Sequence, residues 1–146
     1  MSSQGTAKKA AELLAQKDPL IRIPTKKEKS NLLIAFAQKN KVIYGNAFDV
    51  VRLAKDIDLS DMESVIDNIQ HITLIEVKST NRENRDSSFS GHFFGLTTAE
   101  LLVAQNLGNK YRFIFVNTVT GHTLELKLNE IFAKAKGIYP QWSISF

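Results

Sequence analysis

The chain has 146 residues, 43% of them apolar and 23% charged, and a formal net charge of +4. That is the length and composition of one globular domain with its own core, so a single domain over residues 1–146 is expected. Cysteine is absent, which excludes disulfides, thiolate metal sites and a cysteine nucleophile. No apolar run reaches membrane-spanning length and the N-terminus lacks a signal-peptide core, so a cytoplasmic protein with no membrane partner is expected.

The first element is a helix over Thr6 to Gln16, on whose narrow stripe lie Ala10, Leu13 and Leu14. Pro24 separates it from the next helix, and residues 1–24 read as an N-terminal helical extension. Thr25-x-x-Glu28 is a capping box that opens the second helix, Lys26 to Lys39, with Leu32, Leu33, Phe36 and Ala37 on its apolar face. Two strands, Lys41–Tyr44 and Phe48–Leu53, flank a turn at Gly45-Asn46. Ser60-x-x-Glu63 opens a short helix of about Asp61 to Asn68. Asp56, Asp58 and Asp61 read as a solvated turn and a helix cap.

Ile72–Thr80 is a strand on its β-branched and aliphatic content, and the polar connection 79–92 after it is expected to be mobile or functional. Thr97-x-x-Glu100 opens a third amphipathic helix that Gly108 stops. Strands Tyr111–Asn117 and His122–Leu128 flank a turn at Val119-Thr120-Gly121. A short helix, Glu130–Lys136, and a last edge strand, Gln141–Phe146, complete the order α-α-β-β-(α)-β-α-β-β-α-β. The fold class is α/β, with a central mixed sheet flanked by helices.

Charge is uneven along the chain. Residues 1–41 carry nine basic and three acidic side chains, and residues 42–146 carry ten basic and twelve acidic ones. A basic segment beside a carboxylate-bearing one suits a polyanionic partner. Lys8, Lys9, Lys26, Lys27 and Lys29 are candidates for that contact, and a solvated lysine face explains them as well.

Glu76 and Lys78 share one face of their strand and Val77 lies on the other. A carboxylate and an ammonium at the end of an apolar strand are costly without a use, although an exposed ion pair would explain Glu-x-Lys too. If Phe48–Leu53 pairs antiparallel with Ile72–Lys78, the start of one strand lies beside the end of the other. Asp49 then meets the Glu76/Lys78 pair at one end of the sheet.

Gly45-Asn46-Ala47-Phe48-Asp49, followed by a hydrophobic strand and then Ile75-Glu76-Val77-Lys78, resembles the PD-(D/E)xK nuclease superfamily. Its restriction-endonuclease-like core is α-β-β-β-α-β, and Lys26 to Asn117 can be laid on it. Phe48-Asp49 stands where the superfamily's name has Pro-Asp, and the connection from Asp49 to Glu76 is long. The resemblance implies phosphodiester hydrolysis dependent on Mg²⁺, for which Mn²⁺ can substitute, with Asp49 and Glu76 as metal ligands and the Val77 carbonyl a further one. Lys78 would position water and stabilise developing charge. Glu28 corresponds to an accessory glutamate of the core's first helix, and its place in the capping box explains it equally.

Around this site Arg82 and Arg85 are candidate phosphate contacts, and Ser79, Thr80 and His92 are candidate contacts to the nucleic acid. His71 and His122 have no metal-ligand spacing, which argues against zinc. The expected activity is that of a metal-dependent DNA endonuclease acting as a homodimer, one site per strand. A non-catalytic nucleic-acid-binding or protein-interaction module on the same fold is the rival expectation.

Overall fold

A computed structural model describes residues 3–146, so Met1 and Ser2 of the expected extension lie outside the described residues. The sheet has five strands: β1 (Ile21–Arg22), β2 (Val50–Leu53), β3 (Ile72–Thr80), β4 (Tyr111–Asn117) and β5 (Thr123–Leu126), in spatial order 1-2-3-4-5. Only β3 and β4 run parallel. The other neighbours, β1/β2, β2/β3 and β4/β5, are antiparallel. The expected mixed α/β architecture is therefore observed.

Helices cover both faces. α1 (Ser3–Lys17) lies on one, where Ala10, Ala11 and Leu14 pack on Ile21, Val50, Ile75 and Val77. Residues read as an extension thus form the only helical cover seen among the described residues over that face. The other face carries the larger core, built from α2 (Lys26–Gln38), α3 (Met62–Asp67), α4 (Thr98–Leu107) and α5 (Leu128–Lys134) packed on Val51, Leu53, Leu74 and Phe113. Side chains alternate along each strand, so even-numbered residues of β3 enter this larger core and odd-numbered ones meet α1. Full burial of each large apolar side chain stabilises by about 1.5–3 kcal/mol.

Two expected strands are absent, and one strand is new. Lys41–Tyr44 has no ladder partner; it delivers Ile43 to the core and enters a turn at Gly45–Ala47. The first strand is instead Ile21–Arg22, paired with Arg52 and Val51. Bounded by Pro19 and Pro24, it is a short edge strand of the kind that proline permits. From Lys26 to Asn117, where α-β-β-β-α-β is expected, only β2 and β3 precede α4; the order is completed only by taking α1 and β1 from before Lys26, with α2 and α3 inserted. Residues 135–146 form no regular structure, so Gln141–Phe146 is no strand; Trp142 is 88% exposed. It pairs with neither edge strand, β1 or β5.

The capping boxes at Thr25 and Thr97 form as expected, each hydroxyl accepting the N–H of the glutamate three residues on. At the third site the cap is Asp61, which accepts the Glu63 N–H, while Ser60 turns back to Asp58. The charged acceptor one residue closer to the helix takes the cap in place of the serine.

Candidate carboxylate–lysine site

The β2–β3 ladder sets Val50 opposite Ile75 and Val51 opposite Leu74. Asp49 lies just before the first ladder pair, and its N–H donates to the Ile75 carbonyl at 2.8 Å, one residue off the register of the ladder. Asp49 Oδ2 accepts the Val77 N–H, also at 2.8 Å, which pins its carboxylate across the end of the strand pair. The N–H and C=O of a strand residue leave on the same side. The Val77 carbonyl therefore leaves on the β2 side as well, past the last ladder pair of β2.

Glu76 is only 7% exposed, while Asp49 is at the surface. The two side chains lie within hydrogen-bonding reach of each other. Burial, then the hydrogen bond and negative charge of Asp49, then Glu100, push the Glu76 carboxyl up to about 10, with Lys78 opposing. Glu76 thus keeps a proton through neutral pH, beside the Asp49 side chain. Its Oε2 has no partner, and a buried orphan oxygen is costly.

Lys78 projects from the same face and donates to Glu100 Oε1 at 2.8 Å, both side chains being largely buried. Glu100 Oε1 also accepts the Thr97 N–H at 3.3 Å. One glutamate therefore caps α4 and holds the lysine. Sequence reasoning assigns Glu100 to the cap and stops there, because the cap alone accounts for it. Its proximity to Glu76 depends on the parallel β3–β4 crossover through α4, which no local signal carries. Tyr111 lies in the core nearby, donating its hydroxyl to the Ala47 carbonyl. Burial and the three carboxylates raise its pKa, so it stays protonated.

The remaining candidates separate. Glu28 is not brought to the cluster: it accepts from the Thr25 N–H and pairs with Arg22 at 2.9 Å, both structural contacts. Lys29 sets its ammonium 4.7 Å above the Phe48 ring, next to Asp49. Lys26 and Lys27 are exposed, with Lys27 near Asp58.

Ser79, Thr80, Arg82, Arg85 and His92 meet in a cleft of about 430 Å³ beyond the C-terminal end of β3. Asp49, Glu76 and Lys78 do not line it. Glu76 lies three residues before Ser79, about 10 Å along the strand. Thr80 is buried and braces the connection, its hydroxyl accepting the Arg82 N–H and its carbonyl the Thr118 N–H. The connection itself is anchored by Phe89, which packs against Phe115 in the core.

The carboxylates can be tested for a fit to a divalent cation. Two neighbouring carboxyl groups, one of them with an orphan buried oxygen, and a backbone carbonyl on the same side of β3 make a set of hard oxygen donors. Among the described residues no group of three or more Asp, Glu, His or Cys side chains converges on one point. Two carboxylates with water completing the shell is the usual arrangement for Mg²⁺, so the residues present fit that ion.

Fold and site together define an α/β domain that presents an acidic pair and a fixed lysine at one end of a mixed sheet. The chain belongs to the family described as Protein NO VEIN, C-terminal, whose model matches residues 26–128. The match takes in Asp49, Glu76, Lys78, Glu100, Arg82 and Arg85, and leaves out α1, β1 and the last residues. No curated protein and no solved structure matches the chain. Among the described residues no helix is long and apolar enough to cross a membrane.

Proposed function

We propose that the chain is a metal-dependent DNA endonuclease of the PD-(D/E)xK type. The observation that carries this reading is the apposition of Asp49 and Glu76 across the β2–β3 ladder, with Lys78 on the same face. Asp49, Glu76 and the Val77 carbonyl would hold Mg²⁺, or Mn²⁺ in its place. The ion would supply Lewis-acid polarisation of the scissile phosphate.

The protein's own groups prepare the rest. Asp49, locked by the Val77 N–H, fixes the geometry of the carboxylate pair. Glu100 keeps the Lys78 ammonium at the same end of the sheet. There Lys78 can orient the attacking water and stabilise charge that develops on the phosphate oxygens. A homodimer would bring one such site to each strand of a duplex, which sedimentation at working concentrations tests.

The rival reading, a binding or interaction module without chemistry, is favoured by one observation. The Lys78 ammonium is already committed to Glu100. Incubation with supercoiled, linear and branched DNA in Mg²⁺, Mn²⁺ or EDTA separates the two. Cleavage that needs the cation and vanishes in Glu76→Ala and Lys78→Ala is the expected result. Cleavage that survives either substitution, or binding without cutting in every metal, would sink the endonuclease reading.

A further inference from the structure

The cleft at the end of β3 is chemically one-sided. Arg82 and Arg85 line it together with Ser79, Asn81, His92 and Phe93, and no carboxylate does. Burial and the charges of Arg85 and Arg82 lower the pKa of His92, which keeps the ring neutral at neutral pH. Both guanidiniums are thus close enough to be felt at one ring.

Each arginine is set in place by its backbone surroundings. The Arg82 carbonyl accepts from Asn117 Nδ2 at 2.8 Å and its N–H reaches Thr80, yet no hydrogen bond or ion pair engages its guanidinium among the described residues. Arg85 donates one amino group to the Ser90 carbonyl at 2.6 Å, and its Nε is buried without a partner. Gly91, with φ +75°, makes room for it: a Cβ there would lie 2.9 Å from the guanidinium. Arg85, held at Ser90, and Arg82, whose guanidinium is unengaged, offer donors that no carboxylate satisfies, which is what a phosphate group requires.

At the rim stand two aromatic rings. Phe93 is 80% exposed and Tyr139 is 74% exposed, their centroids 6.4 Å apart. Exposed rings beside a cationic cleft form a platform for a base, and a base can lie on such a platform only when it is out of the duplex stack. We propose that this cleft is a subsite for an unpaired nucleotide, its phosphate held by Arg82 and Arg85 and its base laid on Phe93 beside Tyr139. The substrate class is then single-stranded or branched DNA rather than continuous duplex. The identity of the polyanion rests on the nuclease reading above.

Fluorescence anisotropy with labelled single-stranded DNA, and with a blunt duplex of equal length, tests this across a salt series in EDTA. Wild-type protein should bind the single strand more tightly. Phe93→Ala should weaken that binding about tenfold, the loss of one base stack, and leave duplex binding unchanged. Phe93→Trp should restore it. Arg82→Ala should weaken binding and lower the salt slope by about 0.7, one phosphate contact fewer on a single strand. Both positions are exposed, so melting temperatures should not move. A duplex preference, or single-strand binding indifferent to Phe93 and Arg82, overturns the subsite. Binding is read without a divalent cation and cleavage with one. A protein that binds as described but never cuts overturns the endonuclease alone, whereas one that cuts but ignores these residues overturns the subsite alone.

Discussion

Glu76 carries the sharpest consequence at the residue scale. Its pKa is raised from 4.5 to about 10 by burial and by Asp49. Between those values the folded chain holds a proton that the unfolded chain has released, so stability falls as pH rises through this window. The slope is at most about 1.4 kcal/mol per pH unit for one proton. Glu76→Gln keeps the neutral shape without the titration. In EDTA it should be more stable than wild type at neutral pH and flatter in a melting-versus-pH series; equal slopes would refute the account of a proton held on Glu76. Lys78 and Glu100 make a second test. Both are largely buried, so removing one partner strands the other's charge, at a cost of about 3–5 kcal/mol. Lys78→Met and Glu100→Gln should each be destabilised on that order by urea denaturation. The double variant should recover much of the loss, and strict additivity would show that the two do not interact.

The elements differ in how much of them the sequence could disclose. Leu14 of α1 is buried against the sheet, so Leu14→Ala should cost about 2–5 kcal/mol in chemical denaturation. A cost under about 0.5 kcal/mol, typical of a surface site, would mean that α1 is the loose appendage its position suggested. Nothing in residues 3–17 marks them as the cover of a face, because the partners Val50, Ile75 and Val77 are far along the chain. β3 and β4 were legible to the residue: both are long, apolar and β-branched, and their hydrophobic pattern fixes the register. Ile21–Arg22 was not, since two residues between prolines carry no periodicity and the strand exists only through its ladder to Val51 and Arg52. Gln141–Phe146 misled in the opposite direction. Its alternating pattern has strand propensity, yet it docks on neither open edge of the sheet and its large side chains stay exposed. Within the site, Asp49, Glu76 and Lys78 could be read from strand order alone. Glu100 could not, because its capping role was a sufficient local explanation and its second role appears only when α4 packs.

At the scale of the whole molecule, folding and the proposed cation binding draw on the same two carboxyl groups. The fold brings Asp49 and Glu76 together and tolerates their proximity only by keeping a proton on Glu76. A divalent cation binding there would displace that proton, because its charge replaces the one that the proton supplies. Cation binding should therefore be linked to proton release and to stability at once. At pH 7 isothermal titration calorimetry with Mg²⁺, repeated in buffers of different ionisation enthalpy, should register release of close to one proton per ion. Glu76→Gln, having no proton to lose, should register none and bind more weakly. Wild type should also melt later as the ion is added, by about 2.7 kcal/mol of stability at one hundred times the dissociation constant. An uptake that leaves the buffer dependence flat would place the ion away from Glu76. Binding with full proton release but no stabilisation would mean that the ion also holds the unfolded chain, since a ligand stabilises only by its preference for the folded state.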